Sequence, residues 1–254
     1  MPTGFQLFNT SGQLLIDTNY LSYSLALKGT VAQTYQATPE YYTFRIVYSG
    51  GQAPVLFYKM RSTSTIQGPL AIGLVRCIQN GSTWEWHFDN AWAGSHAEQL
   101  MDFYIFDLKR TLVNNRAGFE AYNMAGEPIF TTGAKPLNIE AVWQVPGPVL
   151  RPGSSRWHYA YPASSEFING GSYRFAGLPT ANWAVHVPFP RIGIEYDGSS
   201  SEHIAEMVIP TTNGAVCGAV RLGDYRSTGE SQLASEWQSE TITPVLLFIN
   251  ADKY

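Results

Sequence analysis

Two stretches of the sequence decide the fold: GFQLFNTSGQLLIDT at residues 4–18 and GFEAYNMAGEPIFTT at residues 118–132. They align without a gap at an offset of 114 residues, and Gly, Phe, Asn, Gly and the final Thr coincide. The Gln or Glu after the second Gly and the apolar run that follows match in character. Internal repeats reveal architecture before single motifs do, so the alignment indicates a duplicated element.

Each copy has the pattern of a β-hairpin. An alternating strand leads to a turn at Asn-x-x-Gly, and a more continuously apolar strand follows. The Asn side chain can bond its own backbone two residues on, and the Gly can adopt the left-handed conformation that closes the turn. Chance convergence of common turn chemistry is the alternative, but we favour duplication of a β module.

Strand signals dominate the rest of the chain. Short runs rich in Val, Ile, Tyr, Phe and Trp alternate with Gly, Asn, Asp or Pro, which is typical of strands and turns. Few stretches have a helical pattern. The sequence therefore predicts an all-β fold of β-sandwich-like modules, with a duplicated N-terminal hairpin element and little helix.

Three turns predict further hairpins, because their residues tolerate the backbone angles of tight turns. The predicted pairs are 44–48 with 55–58 across Ser49-Gly50-Gly51, 70–78 with 84–88 across Asn80-Gly81, and 192–196 with 204–209 across Asp197-Gly198.

Trp84, Trp86 and Phe88 alternate with Glu85 and His87. Successive side chains of a strand point to opposite faces of its sheet. The pattern thus predicts one buried aromatic face and one wet polar face, with Trp84 and Trp86 in the core.

A module boundary is expected where Asn114-Asn115-Arg116 interrupts the apolar pattern. It divides the chain into an N-terminal β module, 1–114, and a C-terminal β module, 115–254. One composite domain remains the alternative. A second break is expected at residues 145–148 and 152–155, whose prolines no central strand tolerates, and these stretches are expected to connect sheets or halves.

Composition narrows the function classes. Charged residues make up 14% of the chain and aromatic residues also 14%, with a formal net charge of −4. No basic run is present, which argues against nucleic acid as a partner. No segment has about 18 consecutive apolar residues and no signal peptide is evident, so we expect no membrane insertion. Cys77 and Cys217 are read as reduced core thiols.

Several blocks resemble a family of tailed-bacteriophage virion proteins described as tail tip, tail fibre or minor tail proteins. The blocks are Phe103-Tyr104-Ile105-Phe106-Asp107, the second repeat copy, Lys135-Pro136-Leu137 and the opening from Gly4 to Asp17. The resemblance covers residues 1–20 and 101–137. It implies a structural role in the virus particle and carries no catalytic residues.

Signatures of enzymatic chemistry are missing from the sequence. His87, His96, His158, His186 and His203 form no HExxH pattern or Cys/His cluster, so no metal site is predicted. The sequence also has no Gly-x-Ser-x-Gly elbow, P-loop or dinucleotide fingerprint. We therefore predict no cofactor and no enzymatic activity.

Two groups of residues were weighed as sites. Glu195, Asp197, Glu202 and Glu206 gather near one predicted hairpin, where a carboxylate pair would suit glycan hydrolysis. A solvated strand face and its turn is the more common explanation of such a group. Exposed aromatic residues mark interaction surfaces and pack on sugar rings. The predicted binding residues for a glycan or an interface are Trp157, Tyr159, Tyr161 and Trp92.

The resemblance implies a structural virion protein of a phage tail tip or fibre that contributes to host receptor contact. Its expected partners are other phage tail proteins, a host surface glycan or protein receptor, and copies of itself, with a trimer expected from the resemblance. Its expected location is the virion, after assembly in the host cytoplasm. A stand-alone carbohydrate-binding β-sandwich is the alternative, and a glycan hydrolase is the third reading.

Overall fold

The computed structural model describes residues 6–8, 14–17, 23–37, 40–61, 72–90, 100–108, 120–122, 126, 128–131, 133–145, 149–150, 157–158, 172–178, 182–189, 192–197, 200–211, 214–226, 236–237 and 245–254. Strands account for 70% of these residues and helix for 3%, which confirms the all-β prediction. The strands are β1 Gln6–Phe8, β2 Leu14–Asp17, β3 Ser24–Ala32, β4 Thr34–Ala37, β5 Glu40–Ser49, β6 Val55–Met60, β7 Ile72–Asn80, β8 Thr83–Asn90, β9 Leu100–Asp107, β10 Glu120–Tyr122, β11 Pro128–Thr131, β12 Ala141–Gln144, β13 Val149–Leu150, β14 Trp157–His158, β15 Ser172–Ala176, β16 Trp183–His186, β17 Ile192–Asp197, β18 Ser200–Thr211, β19 Gly214–Arg226, β20 Glu236–Trp237 and β21 Val245–Asn250, and a 3₁₀ turn covers Ala251–Lys253.

Two large antiparallel sheets form the body. Sheet I has the strand order β12-β21-β16-β6-β9-β3. Sheet II has the order β15-β19-β18-β7-β8-β5-β4, with β17 and β20 attached beside β18. Strands from both predicted modules, 1–114 and 115–254, contribute to each of these sheets.

Aromatic side chains join the two sheets face to face. Tyr58 of sheet I packs edge-on against Phe88 of sheet II at a centroid distance of 4.6 Å. Phe248 of sheet I stacks on Phe175 of sheet II at 5.4 Å. Tyr58, Phe88 and Phe248 belong to one buried cluster with residues from both sheets, and Phe175 packs against it, as a β-sandwich core requires.

The Trp84 strand follows the predicted alternation. Trp86 and Phe88 are buried in the core, and Trp84 packs against it. Glu85 and His87 are partly exposed and contact each other on the opposite face. The prediction of one aromatic and one polar face is confirmed. Cys217 is also buried, but Cys77 is exposed, which corrects the prediction that both thiols lie in the core.

Two of the three predicted hairpins are confirmed. β7 pairs with β8 around Gly81, whose φ of 60° is left-handed. β17 pairs with β18, with Asp197 opposite Ser200.

The third predicted hairpin is wrong. β5 pairs with β4 and β8 in sheet II, whereas β6 pairs with β9 and β16 in sheet I. The Ser49-Gly50-Gly51 stretch therefore crosses from one sheet to the other. The amides of Gly50 and Gly51 both donate to the Ser82 carbonyl of sheet II, at 2.9 and 3.2 Å. These bonds fix the backbone at the point where the chain leaves sheet II. Both flanking runs are apolar because they face each other across the core, and not because they pair.

Candidate functional site

The two repeat copies form hairpins with the same register. We call β1–β2 hairpin 1 and β10–β11 hairpin 2. Each has one irregularity in its ladder, one residue before the end of its first strand, as a β-bulge produces. Every pair of hairpin 2 lies 114 positions after its counterpart in hairpin 1. The pairs are Gln6–Asp17, Leu7–Ile16 and Phe8–Leu14 in the first, and Glu120–Thr131, Ala121–Phe130 and Tyr122–Pro128 in the second.

The turn chemistry of hairpin 2 also follows the sequence pattern. Gly126 has a φ of 78°, the left-handed conformation predicted for the second Gly of the repeat. The shared register and the shared bulge confirm that both repeat copies form the predicted hairpin.

The segments that follow the two hairpins meet and pair with each other. Ser24 forms an antiparallel bridge with Pro136. The Leu25 amide donates to the Lys135 carbonyl at 2.8 Å, and the Leu137 amide donates to the Tyr23 carbonyl at 2.9 Å. We call these residues, 23–25 and 135–137, the junction. It brings together two chain segments that are more than 100 residues apart in sequence.

A local two-fold relation runs through the junction. Counted with the offset of 114, Tyr23 corresponds to Leu137, and these two residues face each other in the ladder set by Ser24 and Pro136. A residue that faces its own counterpart in an antiparallel ladder lies on a local dyad of the backbone. The two chain segments of the junction therefore run in opposite directions.

Beyond the junction, residues 133–140 form a strap over the outer face of sheet I. Leu137 and Ile139 of the strap pack on a second apolar cluster that includes Phe57, Phe106 and Ile249. The strap ends where the Glu140 amide donates to the Phe248 carbonyl at 2.8 Å. It thus covers apolar side chains on the face that points away from sheet II.

The strap also shows that sheet I is curved. It leaves β3 at Pro136 and reaches β12, at the other end of the strand order, at Ala141. Six strands in a flat sheet span about 24 Å at roughly 4.8 Å per spacing. Five extended residues reach only about 17 Å. Sheet I must therefore curl around the strap, which makes its outer face concave.

Tyr254 holds the strap in place. Its ring packs edge-on against Phe106 at 4.8 Å. Its hydroxyl donates to the Pro136 carbonyl at 2.9 Å and accepts the Asn138 amide at 2.8 Å. Burial raises the pKa of this phenol, so the neutral form that makes both bonds is favoured.

Two lysines complete this anchor. Lys28 and Lys135 donate to the main-chain oxygen of Tyr254 at 2.7 and 3.0 Å. Lys253 pairs with Glu140 at the far end of the strap. One aromatic residue and three cations therefore tie the junction, the strap and β3 into one unit.

Asp107 lies fully buried at the end of β9, directly opposite Ser24 of the junction. Its carboxylate accepts the amides of Gln52 and Ala53 at 3.1–3.2 Å and the hydroxyl of Tyr48 at 3.1 Å. Burial and the negative charge of Asp107 raise the pKa of Tyr48 to about 12. Asp107 thus fixes the crossing between β5 and β6, and its role here is structural.

Hairpin 2 presents an aromatic residue to solvent. Tyr122 is 47% exposed, and its hydroxyl donates to the Glu120 carboxylate two residues earlier on the strand. That hydrogen bond raises the pKa of Tyr122. Phe8 occupies the equivalent position in hairpin 1, so the repeat keeps an aromatic residue at this position in both copies.

The predicted aromatic site falls largely outside the described residues. This applies to Trp92, Tyr159 and Tyr161, while Trp157 belongs to β14 and pairs through its backbone with Leu150. The prediction that these four residues bind a glycan or form an interface stays a prediction.

The acidic residues predicted to gather near the β17–β18 hairpin lie in different environments. Glu195 and Glu202 are direct cross-strand partners. Glu206 is instead buried in the interior. Burial raises the pKa of the nearby Tyr58 phenol, and the negative charge of Glu206 raises it further. Glu206 therefore does not belong to a solvated strand face.

Sequence reasoning missed the polar residues that organise the junction. Asp107 was named only as the last residue of the resembling block 103–107, and Tyr254 was given no role. The available signal was the carboxylate of Asp107, which closes the run LMDFYIFD directly after Ile105 and Phe106, since a charge at the end of a buried strand needs several donors.

The described part of the chain contains no group of three or more His, Cys, Asp or Glu residues that is arranged to hold a metal ion. Within the same residues, no helix has the length and apolar character needed to span a membrane.

Comparison with known proteins finds no matching family model, no similar curated protein and no similar solved structure. The family resemblance therefore stays an expectation from the sequence.

Proposed function

We propose that this chain is a structural protein of a bacteriophage tail tip or tail fibre, and that it works by binding and assembly without catalysis. One observation carries the proposal. The sequence blocks that resemble phage tail proteins meet around the junction: hairpin 1 leads into β3, hairpin 2 leads into the strap, and Asp107 of β9 lies opposite Ser24.

This arrangement supports the proposal because the separate blocks that resemble phage tail proteins lie together in one part of the fold. Separate blocks of β-hairpin sequence arise easily in unrelated proteins, since turn chemistry is common. Here the blocks build one unit, two hairpins on a clamped base, that no single block specifies. The low content of charged residues also suits a protein whose surfaces are covered in an assembly, since charges are depleted from interface cores.

Detection in purified particles tests the proposal. Mass spectrometry of phage particles purified on a density gradient should find peptides of this chain at a fixed ratio to the other tail proteins. Electron microscopy with a labelled antibody should place the chain at the tail tip. Absence from particles made in cells that express the chain would overturn the proposal.

Receptor contact is the finer part of the proposal, with Trp157, Tyr159, Tyr161 and Trp92 as the contacting residues. Purified chain should bind host cells, and Trp157→Ala should weaken that binding, whereas Val142→Ala, an exposed change on β12, should not. Binding to glycans by a monomer that is absent from particles would favour a stand-alone carbohydrate-binding module. Release of reducing sugars from host polysaccharide, lost in Glu195→Gln, would favour a hydrolase.

A further inference from the structure

From the strand orders of the two sheets we infer that the chain is a fused dimer, in which residues 1–114 and 115–254 are two copies of one β module. Each half is the partner that the other half fits. The boundary between the halves inside the two sheets, which we call the seam, is then an interface between two copies of the same module. The inference goes beyond the proposed function and does not depend on it.

The strand order of sheet I reads the same from both edges. From one edge to the middle it is β3-β9-β6, which are the first, third and second strands that residues 1–114 give to this sheet. From the other edge it is β12-β21-β16, again the first, third and second strands, here from residues 115–254. In sheet II, β5-β8-β7 on one side of the middle corresponds to β15-β19-β18 on the other. Strands β4, β17 and β20 extend sheet II beyond this correspondence.

The residue pairing repeats together with the strand order. β3 and β12 keep the offset of 114 residues that relates the two hairpins and the two sides of the junction. One offset therefore holds from residue 6 to residue 30, which separate origins of the two halves do not explain. The equivalent pairs are Leu27–Ile105, Lys28–Tyr104, Gly29–Phe103 and Thr30–Asp102 in the first half, and Ala141–Phe248, Val142–Leu247, Trp143–Leu246 and Gln144–Val245 in the second.

The crossing from sheet II to sheet I is also repeated. β5 and β15 are each followed directly by a glycine with a left-handed backbone, Gly50 with a φ of 84° and Gly177 with a φ of 94°. After each glycine the chain continues into sheet I, as β6 in the first half and as β16 in the second. A left-handed residue is not required at this place by the strand order. The two glycines are therefore independent support for a repeated module.

The two halves meet around a two-fold relation at the middle of sheet I. Tyr58 of β6 faces Val185 of β16. One step along this antiparallel ladder sets Phe57 opposite His186, and their rings lie 5.5 Å apart. Phe57 and His186 pair with equivalent positions of β9 and β21, so they are counterparts. A residue that faces its own counterpart lies on a local dyad, as at the junction.

The apolar cluster on the outer face of sheet I is built from counterparts. Ten of its residues form five pairs that are equivalent by register or by the offset, and each half supplies one member of every pair. A permanent dimer interface resembles a domain core that is cut in half, and this cluster has that form. The pairs are Tyr23 with Leu137, Leu25 with Ile139, Val55 with Ala184, Tyr104 with Leu247 and Phe106 with Ile249.

A difference between the halves keeps the packed volume. A Cβ atom at Gly29 would lie 2.8 Å from the ring of Phe103, so the first half has no room for a side chain there. The second half has Trp143 at the position of Gly29 and the smaller Leu246 at the position of Phe103. The large ring has moved from one strand to its neighbour. Exchanges that conserve volume are those a packed core tolerates, as expected for two copies that have diverged.

Distances between spin labels test the two-fold relation. In a Cys77→Ser background, which removes the exposed native thiol, one variant carries Thr30→Cys and Arg174→Cys. A second carries Gln144→Cys and Val47→Cys at the counterpart positions. Each pair joins a strand of sheet I in one half to a strand of sheet II in the other. Pulsed electron paramagnetic resonance should give the same mean distance for both variants. Means that differ by more than the widths of the distributions would overturn the inference.

Label pairs within one half are the control for this measurement. Thr30 with Val47 reports the first half, and Gln144 with Arg174 reports the second. These two distances should also agree, because each pair joins the same two strands of the module. Agreement within the halves combined with disagreement between them would show a repeated module without the two-fold relation, and the fused dimer would be wrong.

Cleavage of the full chain tests the seam. A protease site flanked by Gly and Ser residues is inserted between residues 114 and 115. After cleavage the two halves should sediment as one particle at micromolar concentration, because both sheets continue across the seam. The melting temperature should then rise with protein concentration, as for any dimer. Separation of the halves on cleavage would overturn the inference.

A substitution at the seam sharpens the cleavage test. His186→Ala removes the ring contact with Phe57 and the hydrogen bond to the Leu56 carbonyl, and both partners lie in the other half. The variant should raise the concentration at which the cleaved halves separate by at least about tenfold. Val142→Ala is the matched control, because Val142 is 58% exposed on the edge strand β12, away from the seam. Equal weakening by both variants would contradict the role given to the seam.

Discussion

The sandwich body and the two hairpins hold their strands by different means. In the body, Phe88 is fully buried and Tyr58 packs edge-on against it from the other sheet. In hairpin 2, Tyr122 is about half exposed and its hydroxyl bonds a neighbour on the same strand. The body is stabilised by burial of apolar surface between its two sheets, whereas the aromatic ring of Tyr122 lies on the surface. An aromatic residue on a strand with a clear sequence pattern is thus not necessarily a core residue.

The largest effect should come from removing a core aromatic ring. Phe88→Ala should lower the free energy of unfolding by about 3–5 kcal/mol, because the fully buried ring leaves a cavity between the sheets. Tyr122→Ala should change it by less than about 0.5 kcal/mol, since that ring is on the surface. Chemical denaturation of both variants measures the contrast. Similar losses in the two variants would mean that the hairpin is as deeply packed as the core.

Removing the buried carboxylate should have the next largest effect. Asp107→Ala should cost about 3 kcal/mol, because the amides of Gln52 and Ala53 and the Tyr48 hydroxyl lose their shared acceptor inside the protein. Tyr48→Phe keeps the carboxylate and should cost about 1 kcal/mol. Thermal unfolding of the two variants checks the order, and a larger loss for Tyr48→Phe would contradict the role given to Asp107.

A smaller effect is expected at the strap. Tyr254→Phe keeps the ring on Phe106 but removes the hydroxyl that bonds Pro136 and Asn138, and it should cost about 1 kcal/mol. Hydrogen exchange of the Asn138 amide should become faster in this variant. Tyr122→Phe removes a hydroxyl that bonds an exposed carboxylate and should leave stability unchanged. Unaltered exchange at Asn138 in Tyr254→Phe would show that the hydroxyl does not hold the strap.

The smallest effect near neutral pH should come from His186. Its Nδ1 bonds the Leu56 carbonyl at 2.9 Å, its ring packs on Phe57, and burial lowers its pKa below the ordinary 6.5. The folded state therefore binds its proton less readily than the unfolded chain. The stability linked to this group is fully present above pH 6.5 and is lost as the pH falls through the lowered pKa. The slope of stability between these limits should shrink in His186→Gln, and an unchanged slope would assign the pH dependence to other groups.

Local chemistry explains which predictions the structure confirmed. The turn at Asn80-Gly81 and the repeat turn with Gly126 depend on residues within the turn itself. The alternation around Trp86 depends only on the two-residue period of a strand. Features of this kind can be read from a few neighbouring residues.

Long-range contacts explain what the sequence concealed. Whether the runs around Ser49-Gly50-Gly51 pair or separate is decided by Asp107 and Ser82, which lie far along the chain. The anchoring of the strap by Tyr254 joins residues more than 110 positions apart. No local pattern records such partners. For the same reason, an acidic residue such as Glu206 was grouped with a wet strand although the structure buries it.

The strand order of sheet I has a consequence for synthesis. β21 is made after every other strand of the sheet, yet it lies inside the order, between the edge strand β12 and β16. Until residues 245–250 leave the ribosome, β16 has one unpaired edge and the apolar face around Phe248 has no lining. Exposed strand edges and apolar faces in a growing chain invite aggregation. Sheet I therefore stays incomplete in a nascent chain until β21 is made, and a premature stop before β21 should leave a chain that is prone to aggregate.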